Sequence, residues 1–197
     1  MEDLASSGQF RHLSTIAGIA VDLRYATPNN FVGRDLYSPH DCAWLHRDAA
    51  AALEQSVAWL ATMRPGWTAL ILDALRPQRV QQQLWDALAG TSLQMYLADP
   101  VRGSIHSFGM AIDITLLDAA GREVDMGTGF DDMSERSHPA LEAAMLASGE
   151  LTPTQIDNRQ VLRDVMAHGR FQGIGSEWWH FDLGDRDLVR RTYRRVL

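Results

Sequence analysis

A single cysteine, Cys42, stands among the 197 residues of this chain, and one thiol excludes any intramolecular disulfide framework. Positive charge is also in short supply: 18 Lys+Arg against 25 Asp+Glu leave a formal net charge of -7. An acidic chain has no basic patch to follow a phosphate backbone or an anionic membrane surface, so neither nucleic acid nor membrane is expected as a partner. No apolar run approaches the length of a membrane span, and the opening "MEDLASSGQFRHLS" has neither the basic nor the apolar part of an export signal. The chain therefore reads as cytoplasmic. There is no repeat of solenoid length and no low-complexity tract. What remains is ordinary globular composition, 46% hydrophobic and 22% charged, in a length suited to one domain over residues 1–197, with 1–15 as a loosely ordered arm.

Periodicity supplies the elements. "IAVDLRY" is strand-like and stops at the "TPNN" breaker. From Arg47 to Met63 the residues Leu53, Val57 and Leu60 share one helical face, and "RPG" ends the run. "WTALILDAL" suits a buried strand, and "RPQRVQQQLWDALAG" a helix with Pro77 at or near its first turn. "MAIDITLLDAAGREVDM" alternates around "DAAG" as a hairpin, with Asp113 on the face opposite Ile112 and Ile114. Helices over about 138–146 and 153–168 precede a last strand in "RFQGIGSEWWHFDLG". Strands and helices do not alternate as βαβ units, so an α+β fold with a central antiparallel sheet flanked by helices is expected.

Two segments carry chemistry. A catalytic zinc needs three ligands drawn from His, Asp, Glu or Cys plus an open position. "SIHSFGMAIDIT" offers His106 and Asp113, with Gly109 allowing a tight turn between them, and "EWWH" offers His180. Glu177, three residues before His180, would face away from it in a regular strand, so both reach one ion only if Glu177 lies in a loop or bulge ahead of that strand. There it would serve best as a base toward water. Taken singly, each residue has a plainer reading. His106 suits a loop histidine bonded to backbone, and Asp113 a strand-end acid satisfied by turn N–H groups. Trp178 and Trp179 read as packing residues, one inside and one on a rim. "SPHDCAWLH" holds His40, Asp41, Cys42 and His46, a conceivable second metal site, although a lone thiol is more often a small buried hydrophobe.

Together these motifs resemble the HxxGxAxD and ExxH pair of the VanX-like zinc D-alanyl-D-alanine dipeptidases, peptidase family M15. "DLRYATPNNFVG", "LDALRPQRV", "MGTGFDDMSERSH" and "NRQVLRDVMAHGRF" resemble that family's segments in the same order, over roughly 22–181. The resemblance implies a hedgehog/D,D-peptidase-like fold, and one Zn2+ held by His106, Asp113 and His180. It implies Glu177 as general base and Arg76 as the cation that steadies the negative oxygen of the tetrahedral intermediate. It further implies D-Ala-D-Ala as substrate, its carboxylate at Ser104 and its ammonium at Tyr25 and Asp131, where a one-residue slip would exchange Asp131 for Asp132. The chain between Arg76 and His106 is shorter than in the vancomycin-resistance members, which alters the rim of the pocket. Two rivals stand beside this reading: a zinc D,D-carboxypeptidase or L,D-endopeptidase acting on peptidoglycan stems, and a zinc-stabilised binding module without turnover.

Overall fold

The computed structural model describes residues 4–197. Among the described residues, seven strands and five α-helices follow one another: β1 (Phe10–His12), β2 (Ile19–Val21), β3 (Trp44–His46), α1 (Arg47–Met63), β4 (Thr68–Asp73), α2 (Gln78–Ala87), β5 (Ala111–Leu117), α3 (Glu142–Ser148), α4 (Pro153–His168), β6 (Phe171–Gly173), β7 (His180–Leu183) and α5 (Arg186–Thr192). β1 pairs with β3, and a five-stranded sheet runs in the order β2-β4-β5-β7-β6. This is the α+β fold that the pattern of elements led us to expect, with two corrections. β2 pairs parallel with β4, so the sheet is mixed; α1 lies in the connection between them, the one βαβ-like unit that the pattern of elements concealed. The hairpin after β5 has only a single bridge, Leu117 to Glu123, because the Asp118 carboxylate gathers the amides of Ala120 and Arg122 into a tight turn and the chain then leaves the sheet.

The segment expected as an arm over 1–15 packs onto the fold where it is described. Residues 1–3 lie outside the described residues, but Leu4, Phe10 and Leu13 are buried and β1 is paired: Leu4 and Phe10 cluster with Leu75, Val196 and Trp44, and Leu13 joins the main core.

One face of the sheet makes the main core. Ile71, Ile112, Ile114 and Phe181 pack with Leu53, Val57 and Leu60 of α1 and Leu162 and Val165 of α4. α4 begins where its sequence says it should: the Thr152 side chain caps the Gln155 amide, Gln155 answers to the Thr152 backbone, and Pro153 occupies the first turn. Arg159, fully buried in α4, donates to the carbonyls of Met126 and Arg136 and pairs with Glu142, which braces the loops leading to the site.

The opposite face carries the polar residues. Strand register sets Asp73 of β4 opposite Asp113 of β5, and Asp113 opposite His180 of β7. Three ionisable groups thus stand abreast on adjacent strands, where directly opposed side chains are close neighbours.

Candidate metal centre and active site

His106 reaches this row from the 3-10 turn Ile105–Phe108, which ends at Gly109 in the left-handed region, φ 66. A Cβ there would stand 2.7 Å from the His46 backbone nitrogen, so only glycine lets the turn press against the end of β3. The result is a triangle of donor atoms. His106 Nε2 is 3.1 Å from His180 Nδ1 and 3.2 Å from Asp113 Oδ1, and His180 Nδ1 is 2.9 Å from the same oxygen.

The far side of each imidazole fixes what faces inward. His106 Nδ1 lies 2.8 Å from the Ala74 carbonyl, which only accepts, so this nitrogen carries the proton. His180 Nε2 lies 3.0 Å from Asp182 Oδ1, and the same logic protonates it. With both rings neutral, as metal ligation requires, two lone pairs would aim at a carboxylate oxygen. Three buried acceptors facing one another repel unless a cation or added protons sit among them. Donor atoms around a tetrahedral zinc with bonds of about 2.0 Å stand roughly 3.3 Å apart, close to the separations seen here. Among the described residues this is the one group of three or more His, Cys, Asp or Glu side chains whose ligand atoms converge. The second grouping considered, around Cys42, is dispersed: Asp41 binds His12, His46 turns to Asp48, and Cys42 is buried.

The electrostatics agree. Burial works against the Asp113 carboxylate, yet His106 and His180 hold it well below the usual range. Burial likewise opposes an imidazolium at His180, but Asp182 and Asp113 raise its pKa well above the ordinary value. Asp182 is itself brought down to about 2 against its burial, by His180 and then Arg186.

Glu177 lies in the bend between β6 and β7, outside the strand pairing, and lines the same cavity as the triangle. Burial pushes its carboxyl up to about 7, with His180 pulling down and Asp113 pushing up. Trp178 and Trp179 are both buried, 4% and 3% exposed, which corrects the expectation of one on a rim. Because they precede β7 they are not bound by strand alternation: Trp178 donates to Thr128 Oγ1, and Trp179 packs edge-on against Phe130.

The cavity, about 270 Å³, brings together the remaining expected residues. Arg76 is buried, its Nε 2.8 Å from Asp73 Oδ2, its Nη1 3.2 Å from Gln81 Oε1 and its Nη2 3.2 Å from Asp113 Oδ2. Burial opposes its charge, but Asp73, Tyr25 and Asp113 raise its pKa well above the usual value. Tyr25 lies beneath the guanidinium, 4.9 Å from its carbon to the ring centroid, and donates its hydroxyl to Asp131 Oδ1 at 3.0 Å. Asp131 Oδ2 is buried with no partner, and burial above all lifts that carboxyl far above the usual range. Asp131, not Asp132, is thus the acid in the cavity wall. Ser104 lines the cavity at the start of the His106 turn.

Three positioning residues escaped sequence reasoning: Asp73, Gln81 and Asp182. Asp182 alternates with His180 on β7 and was legible as a same-face neighbour. Asp73 and Gln81 declare themselves only through their bonds to Arg76.

A family model described as D-ala-D-ala dipeptidase matches residues 7–196. The chain belongs to the D-ala-D-ala dipeptidase family. Among its relatives, the D-alanyl-D-alanine dipeptidase of Escherichia coli strain K12 is 40% identical over 165 residues, covering 84% of this chain and 79% of that protein. The D-alanyl-D-alanine dipeptidase of Enterococcus faecium is 33% identical over 189 residues, covering 86% and 88%. As a family member the chain is a peptidase, and the donor triangle and the cavity around it are its candidate active site.

Proposed function

We propose that this chain hydrolyses the free dipeptide D-Ala-D-Ala to two D-alanines in the cytoplasm, with one zinc ion held by His106, Asp113 and His180. The observation that carries the reading is the convergence of three acceptor atoms beside the Glu177 carboxyl, in a cavity whose wall also holds the unpartnered Asp131 oxygen. Zinc, when bound, supplies a charge that polarises a carbonyl and lowers the pKa of water to about 7. Glu177 then acts as general base, taking a proton from water and passing it to the departing amine. A carboxyl near 7 suits both tasks, since it gains and gives a proton close to working pH.

Arg76 keeps an Nη1 N–H beyond those engaged by Asp73, Gln81 and Asp113, and a fixed guanidinium stabilises the negative oxygen that develops at the attacked carbonyl. The substrate ammonium goes to Asp131 and Tyr25, where it would favour the ionised form of a carboxyl that burial otherwise holds neutral. Ser104 takes the substrate carboxylate. Fixed partners for both ends select a free dipeptide over a peptidoglycan stem, which lacks an ammonium at that distance. Consuming D-Ala-D-Ala either limits a wall precursor or returns D-alanine.

The test is metal content alongside rates on D-Ala-D-Ala, L-Ala-L-Ala and a stem pentapeptide. One zinc per chain and preferential release from D-Ala-D-Ala are expected; preferential release from the stem would replace this reading with a D,D-carboxypeptidase.

A further inference from the structure

Residues 95–99 line the cavity as its roof, and the segment 92–99 that carries them owes little to packing. The 3-10 turn Ser92–Tyr96 buries no side chain, and Met95 is 79% exposed. Leu97 alone of this segment leans on the apolar cluster around Tyr25, Val80 and Leu84. Polar tethers hold the roof in place. Gln94 Nε2 donates to the Trp85 carbonyl at 3.2 Å, and the Tyr96 hydroxyl meets His138 Nε2 at 2.8 Å. From α2, Gln78 Nε2 donates to the Pro100 carbonyl and Gln81 Nε2 to the Ala98 carbonyl, both at 2.8 Å.

Gln81 differs from the other tethers in two respects. It is completely buried, so water cannot substitute for either of its bonds, and its Oε1 accepts from Arg76 Nη1 at 3.2 Å. The amide has one orientation only: a guanidinium can only donate and a carbonyl can only accept, so oxygen must face Arg76 and nitrogen the roof. Arg76 has bonds to Asp73, Gln81 and Asp113, and none to the roof among the described residues.

We propose that Gln81 is a positioning residue that couples the roof of the cavity to the aim of Arg76. Through this strut, a roof settling on a ligand and a guanidinium directed at the reacting carbonyl become one adjustment. The kinetic consequence rests on the dipeptidase reading above; the coupling itself does not.

Hydrogen exchange of the amides of residues 94–99 tests the coupling without any turnover. Gln81→Leu should speed exchange there about tenfold, and Arg76→Lys, at the other end of the strut, should also speed it. With both changes together the second should add nothing, whereas Gln78→Leu, a tether that does not touch Arg76, should combine with Arg76→Lys additively. Arg76→Lys leaving roof exchange unchanged, or accelerating it equally with and without Gln81, would overturn the strut. On D-Ala-D-Ala, Gln81→Leu should lower kcat about tenfold, while Gln78→Leu should raise KM with kcat within about twofold. Equal kcat in the two variants would count against the strut. Coupled exchange in a protein that does not cleave D-Ala-D-Ala would keep the strut and remove the dipeptidase reading; cleavage with uncoupled exchange would do the reverse. If the leucine variant does not fold, Gln81→Asn, which keeps the amide but shortens its reach, should show the same loss of additivity with Arg76→Lys.

Discussion

Asp113 and His180 stand on adjacent strands with every side-chain polar atom close to another polar atom, whereas Glu177 and Asp131 reach the same cavity from loops, one with a carboxyl near 7 and the other with a buried oxygen bound to nothing. Asp131 even takes a left-handed backbone, φ 61, that most residues avoid. The strand-borne half is set in place by the fold and calls only for a cation or protons among its facing acceptors. The loop-borne half is left incomplete in a way that a substrate with an ammonium and a transferable proton would complete. Adjacent strands and the tight turn ahead of β5 give precision where three donor atoms must converge, and loops carry the groups that the proposed reaction asks to change charge.

The sharpest way to break this division is to remove the base. Glu177→Ala should cut kcat on D-Ala-D-Ala by about 10²- to 10⁴-fold with zinc stoichiometry unchanged, checked by steady-state kinetics and metal analysis. Loss of metal with activity would show that the loop half also holds the ion. Within the strand half, Asp182→Asn should weaken zinc binding roughly 10- to 100-fold in a chelator competition, because the His180 ring loses the carboxylate that fixes its tautomer. An unchanged affinity would make Asp182 a bystander. In the loop half, Asp131→Asn should raise KM for D-Ala-D-Ala about tenfold with little change in kcat, and should leave an N-acetylated dipeptide unaffected.

The last effect concerns stability and pH. In the metal-free chain the Glu177 carboxyl is raised to about 7, above its ordinary 4.5, so the folded state binds a proton that the unfolded chain has released. Its contribution to stability is full below pH 4.5, declines as pH rises to about 7, and is constant beyond. Glu177→Gln should therefore lose less stability than the parent between those limits, by on the order of 3 kcal/mol in denaturant titrations.

Much of this was readable before any coordinates. α1 and α4 coincide with the helices the spacing gave, because an uninterrupted apolar face, a capping box and a Pro-Gly stop are all local signals. The pairing of His106, Asp113 and His180 was legible as a set of donors, and Gly109 as the hinge between two of them. What escaped depends on contacts across the chain. The parallel pairing of β2 with β4 depends on which strand edge α1 returns to, which its own sequence does not state. Asp73 looks like an ordinary strand-end acid until register sets it beside Asp113, and Gln81 like a surface residue of an amphipathic helix until Arg76 and Ala98 close around it. The burial of both tryptophans follows from the loop geometry ahead of β7, where alternation no longer applies.

The central claim is that three side chains from two distant stretches cage one cation. The direct measurement is zinc content after dialysis of the parent, of Glu177→Ala and of His106→Ala, each confirmed folded by circular dichroism. The account predicts one zinc per chain in the first two and none in the third. A parent that holds no stoichiometric metal, or a folded His106→Ala protein that keeps its zinc, would contradict it.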